Sequence, residues 1–132
     1  MIYLDTSVVL AELFAEDRRP PPGFWKGAFV SSRLLEYEVW TRVHGRGAAA
    51  THGEATREIL ARVAFVELAS PVLARAVEPF PEPVRTLDAI HLATAAFLVG
   101  RRQRIEVATY DQRMARVARA MRLEMSGGHA SI

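Results

Sequence analysis

Residues 1–10 read MIYLDTSVVL, and the reading of this stretch decides the fold. Ile2 to Leu4 form an apolar run too short for a helical face but unbroken, as in a strand buried on both sides. Asp5 ends the run, and Thr6 or Ser7 then starts a helix carrying Val8, Val9, Leu10, Leu13 and Phe14. A strand that hands over at once to a helix is the opening of a β-α-β unit. The same handover recurs along the chain. Ala28 to Val30 reads as a strand, followed by a helix that Ser31 or Ser32 caps and that runs through Leu34, Leu35, Val39 and Val43 to the glycines at 45 and 47. A third helix around Glu54 to Val63 leads into a strand from Ala64 to Leu68. Ser70 then caps a helix over Pro71 to Glu78, with proline at its first position. After the stiff connector PFPEP, Thr86 caps a strong helix from Leu87 to about Gly100. Ile105 to Ala108 is a strand, Asp111 to Arg122 a helix, and Leu123 to Met125 a last strand. Glu16 to Gly23 (EDRRPPPG) is a loop, because three prolines and a glycine stop regular structure. The pattern predicts an α/β fold: a three-layer α/β/α sandwich with a mostly parallel sheet of four to five strands.

The bulk composition narrows the function. A chain of 132 residues is long enough for one domain with a real core, expected over residues 1–125, with 126–132 as a flexible C-terminal tail. The absence of cysteine excludes disulfides, thiolate zinc sites and a cysteine nucleophile, so any metal must be held by oxygen or imidazole. The N-terminus has no signal-peptide pattern, and the longest apolar stretch, Ala89 to Gly100, is interrupted by His91 and too short for a membrane span. A cytoplasmic protein with no membrane partner is the expectation. Net charge is only +2, but sixteen of the seventeen basic residues are arginine, whose planar fork suits phosphate.

The acids carry more. The chain has four aspartates against eleven glutamates. In an open parallel sheet the ligand crevice lies at the carboxyl ends of the strands, near the point where strand order reverses. Asp5 closes the first strand at that end, Asp111 follows the strand IEVAT by one residue, and Asp88 sits in the first turn of its helix. Each placement also suits a helix cap or a first helical turn, since aspartate accepts backbone N–H bonds and complements the helix dipole, although Asp88 is not at the cap itself, which Thr86 fills. A fourth acid would have to come from SSRLLEYEV (31–39). Glu36 and Glu38 lie about 200° apart around the helix axis, so only one of them can face the crevice, and the surrounding apolar residues do not decide which.

The succession LDTS (4–7), SSRLLEYEV (31–39), TLDAIHLATA (86–95) and TYDQRM (109–114) resembles the PIN-domain ribonucleases, and more narrowly the VapC-type toxins of bacterial toxin–antitoxin pairs. The likeness runs from residue 2 to about 125. It implies a PIN-like fold and a catalytic set of Asp5, Glu38, Asp88 and Asp111, choosing Glu38 over Glu36 by its distance from the serine pair. Thr109 is the strand-ending threonine of the pattern, and Thr6 and Ser7 are the hydroxyl neighbours of Asp5. The proline-rich stretch at 20–22 departs from the pattern and is expected in a surface loop.

The implied activity is metal-dependent hydrolysis of RNA phosphodiester bonds, with Mg²⁺ or Mn²⁺ as cofactor. Asp5 and Asp111 are expected as direct ligands. Glu38 and Asp88 would hold a second ion or its waters, with Asp88 counted among the metal-binding residues. Thr6, Ser7 and Thr109 would orient the carboxylates. Crowded carboxylates repel without a cation, so the metal-free form should be less stable or partly protonated there. His91 is expected to be a packing residue more than a general base. Arg113 and Arg116, in a helix that also carries Arg119 and Arg122, are candidate RNA contacts, as are Arg18, Arg19 and Lys26 in the proline loop. The resemblance further implies a cognate small antitoxin and a homodimer. A phospho-receiver or flavodoxin-like binding module shares the architecture. A receiver, however, needs an acidic pair after the first strand and an Asp ending a central one, and LDTS and VAFVELAS supply neither.

Overall fold

The computed structural model describes residues 1–127. Its strands are β1 (Ile2–Leu4), β2 (Phe29–Ser32), β3 (Val63–Val66), β4 (Glu106–Ala108) and β5 (Glu124–Met125). They form one sheet in the order β3-β2-β1-β4-β5, every pair parallel. The helices are α1 (Thr6–Leu13), α2 (Leu34–Gly45), α3 (Ala49–Leu60), α4 (Ser70–Ala76), α5 (Thr86–Gly100) and α6 (Gln112–Ala120). The sandwich expected from the sequence is therefore present, with five strands.

Period-two alternation explains the three layers. Leu4, Phe29 and Ala108 pack on one face with Val8, Val9, Leu35, Val39 and Leu60 of α1, α2 and α3. Their sequence neighbours Tyr3, Val30 and Val107 pack on the other with Leu92, Ala95, Leu98, Met114 and Val117 of α5 and α6. Successive strand residues point to opposite sides, so a strand covered by helices on both must be apolar throughout. Truncating one such residue, as in Leu4→Ala, would cost ~2–5 kcal/mol.

β1 lies between β2 and β4, so the chain winds outward from it in both directions. The reversal of strand order at β1 and β4 opens a crevice beyond their carboxyl ends. Asp5 and Asp111 leave the sheet at this point.

Several boundaries differ from the sequence reading. α3 begins at Ala49, five residues before Glu54, because an Ala-rich start favours helix without showing an apolar period. Thr86 is the first residue of α5 and not its cap, a position taken by Arg85. A 3₁₀ turn, Pro22–Lys26, emerges from the proline loop and buries Phe24, while the Trp25 indole donates to Glu12 Oε1 at 2.8 Å. Ser126 is buried and its N–H donates to Val107 O, so packed structure continues past residue 125. The remainder of the expected tail, residues 128–132 with His129, lies outside the described residues. No helix among the described residues is long and apolar enough to cross a membrane.

Candidate active site

Asp5 leaves β1 with its N–H bonded to Ala108 O at 3.0 Å, and its side chain is only 6% exposed. It occupies the N-cap position of α1, yet its carboxylate makes no capping bond. Instead Oδ2 accepts from Ser7 Oγ at 2.6 Å and from Thr109 Oγ1 at 2.7 Å. Ser7 Oγ in turn accepts the Tyr110 N–H, and Thr109 Oγ1 accepts the Asp111 N–H. Hydroxyls thus stitch the β1–α1 junction to the β4–α6 junction. The Asp5 carboxylate, costly to bury without donors, is fixed through one oxygen. Oδ1 has no partner among the described residues.

Glu38 is fixed in the same manner from the next helix. Its Oε1 accepts from Thr6 Oγ1 at 2.7 Å and lies 2.6 Å from His91 Nε2. An ionised carboxylate can only accept, so Nε2 carries the proton whatever the charge on the ring. The other ring nitrogen meets the Tyr3 hydroxyl at 2.8 Å, and that oxygen also accepts the Ser32 N–H. Burial pushes the Tyr3 phenol far up, so it stays neutral. Burial alone would pull the His91 imidazolium down. The hydrogen bond that Nε2 donates to Glu38 and the charges of Asp5, Glu38 and Asp88 outweigh it, and the net shift is upward. Glu36 turns away to pair with Arg33 at 3.4 Å.

Asp111 caps α6, its Oδ1 accepting the N–H groups of Arg113 and Met114, while Oδ2 is left over. The capping role and an open oxygen coexist in one carboxylate. Asp88, in the first turn of α5, has no hydrogen-bond partner among the described residues. Its carboxyl is pushed up from the usual range by partial burial, then by the charges of Asp111 and Asp5; His91 pulls it down, and Glu38 adds to the rise. The charges of the other three acids therefore reach Asp88.

All four line one crevice of about 860 Å³, with Thr6, Ser7, Arg42 and Arg85. Among the described residues no three acidic or histidine side chains close into a ready-made metal cage. An open, all-oxygen arrangement still fits Mg²⁺ or Mn²⁺, because such ions keep several waters and need only a few carboxylates. Three acids offering one oxygen each, and a fourth pushed up by partial burial and then by the neighbouring carboxylates, meet that description.

The remaining sequence candidates fall unevenly. Arg116 is taken by Glu82 through Nε at 2.8 Å and Nη2 at 2.7 Å, whereas Arg113 makes no ion pair among the described residues. His91 holds Glu38 as well as packing, a role the sequence signalled only by its spacing from Asp88. The exposed Tyr37 at the mouth of the crevice gave no signal at all.

The model of the PIN domain family matches residues 2–120. The chain is 31% identical over 120 residues to Ribonuclease VapC47 of Mycobacterium tuberculosis (strain CDC 1551 / Oshkosh), covering 86% of this chain and 87% of that protein. It is 38% identical over 126 residues to Ribonuclease VapC46 of strain ATCC 25618 / H37Rv, covering 91% and 92%. To Ribonuclease VapC35 it is 30% identical over 129 residues, covering 93% of each. No solved structure matches it significantly.

Proposed function

The chain belongs to the PIN-domain family, among the VapC-type ribonucleases, and from that premise we propose that it is a toxin endoribonuclease dependent on Mg²⁺ or Mn²⁺. The observation that carries this reading is the shared habit of Asp5, Glu38 and Asp111. Each is held by the protein through one carboxylate oxygen, and each keeps the other without a protein partner beside a common crevice.

Asp5, Asp88 and Asp111 would hold the ion. A divalent cation supplies two things when bound: it lowers the pKa of water, and it offsets charge on the phosphate. The chain's own groups do the rest. Ser7 and Thr109 keep Asp5 oriented, and Thr109 reaches Asp111 through its backbone N–H. Thr6 and His91 fix Glu38 so that its second oxygen can orient the attacking water and accept its proton. Arg113 and Arg116 stand as proposed phosphate contacts, Arg116 through the Nη1 that Glu82 leaves over.

Family membership also supports a cognate small antitoxin as partner, a homodimer as working form and the cytoplasm as the place of action. The test is incubation of the purified chain with total RNA in Mg²⁺ or Mn²⁺, then with EDTA, with mapping of the new ends. Defined cuts that vanish in EDTA and return with the metal are expected. Cleavage that survives EDTA would contradict the metal mechanism.

A further inference from the structure

Beyond Asp111 the acidic crevice gives way to a second cavity of about 290 Å³. Asp111 and Tyr110 line both spaces, and the sign of the charge reverses between them. The crevice sets Asp5, Glu16, Glu38, Asp88 and Asp111 against Arg42 and Arg85. The smaller cavity sets Arg18, Arg116 and Arg119 against Asp111 alone. Arg18 comes from the loop after α1 and the other two from α6, so the fold gathers cations that lie far apart in the chain.

Their pairing is unequal. Glu82 offsets Arg116. Neither Arg18 nor Arg119 has an ion-pair partner among the described residues. The Arg18 guanidinium lies over the Tyr110 ring, 5.2 Å from its centroid, which holds the cation at the cavity without neutralising it. The Tyr110 hydroxyl is buried and has no hydrogen-bond partner among the described residues, a donor whose desolvation is uncompensated. Gathered cations of this kind focus potential and draw in an anion. The planar forks of Arg18 and Arg119 suit phosphate oxygens in particular.

We propose that Arg18 and Arg119, brought together around Tyr110 beside Asp111, form a phosphate subsite for the nucleotide adjoining the cleaved bond. The RNA strand then runs from the acidic crevice into this cavity. The inference rests on the nuclease reading for its ligand, but the first arm of its test is a binding measurement that does not depend on cleavage.

The test is binding of a fluorescent single-stranded RNA oligonucleotide to the full chain in EDTA, measured across a salt series. Loss of one phosphate contact lowers the slope of log affinity against log salt by about 0.7. Arg18→Gln and Arg119→Gln are each expected to lower it by that amount, and Arg104→Gln, at the opposite end of the sheet, to leave it unchanged. In Mg²⁺, a methylphosphonate beside the cut should slow the wild-type chain and have little further effect on the double variant. Unchanged slopes in a chain that still cuts RNA would overturn the subsite and leave the nuclease reading standing. RNA binding that depends on both arginines in a chain that never cuts would sink the nuclease reading and, with it, the placement of this phosphate contact beside a cut. Polyglutamate binding weakened equally by the two variants would show a generic anion surface and overturn the proposal.

Discussion

Asp5 and Asp88 line the same crevice and are held in opposite ways. Asp5 is almost fully buried, with two hydroxyls locking one oxygen. Asp88 has no donor among the described residues and is pushed toward its protonated form by partial burial and the neighbouring charges. One half of the site is organised in advance, and the other half waits for positive charge. Binding a cation then needs little reordering on the Asp5 side and relieves repulsion on the Asp88 side, so both halves favour the bound state.

The largest effect should come from breaking the organised half. Asp5→Asn keeps the shape and removes the charge, and RNA cleavage should fall by more than about 100-fold, beyond the ~10–100-fold range seen when a ligand's supporting partner is lost. Circular dichroism and the melting temperature would show that the fold is kept. Next in size are the supports. Thr109→Val and His91→Gln should each lower activity or metal affinity by ~10–100-fold, with Thr109→Val the larger because that hydroxyl serves both Asp5 and Asp111.

A smaller effect of opposite sign belongs to Asp88. Its folded pKa is raised, so its favourable contribution is complete below the unfolded value and is lost as pH rises through the folded one. In EDTA at neutral pH, Asp88→Asn should therefore melt higher than the wild-type chain, with the gap closing as pH falls toward the carboxylate range. In saturating Mg²⁺ the order should invert, because a metal at about 100 times its dissociation constant adds ~2.7 kcal/mol to a chain that binds it. A variant that melts no higher without metal would remove the contrast between the two acids. Smallest of all, Glu36→Gln should change cleavage less than about twofold, since its half-exposed pairing with Arg33 at 3.4 Å lies away from the crevice acids.

The sheet and two of the acids were legible because local rules govern them. Unbroken apolar triplets followed by helix starts dictate buried parallel strands, and Asp5 and Asp111 sit where such strands end. Where capping and an open carboxylate compete, sequence cannot choose: Asp5 occupies a cap position without capping, and Asp111 caps with one oxygen only. Glu36 and Glu38 could not be separated by periodicity either. Family likeness points to Glu38, and physically Thr6 and His91, 32 and 53 residues away, hold it. His91 was hidden for the same reason, as its meaning lies in contacts with Tyr3 and Glu38 from other elements. The engagement of Arg116 by Glu82 across the fold was equally unreadable from a one-sided arginine stripe.

The most direct measurement is calorimetric titration of Mn²⁺ into the folded wild-type chain and into Asp5→Asn. Saturable binding by the wild type, lost or severely weakened in the variant, is the result expected of carboxylates converging on one ion. A folded wild type that binds no metal, or a variant that binds it undiminished, would contradict the convergence on which the proposed chemistry depends.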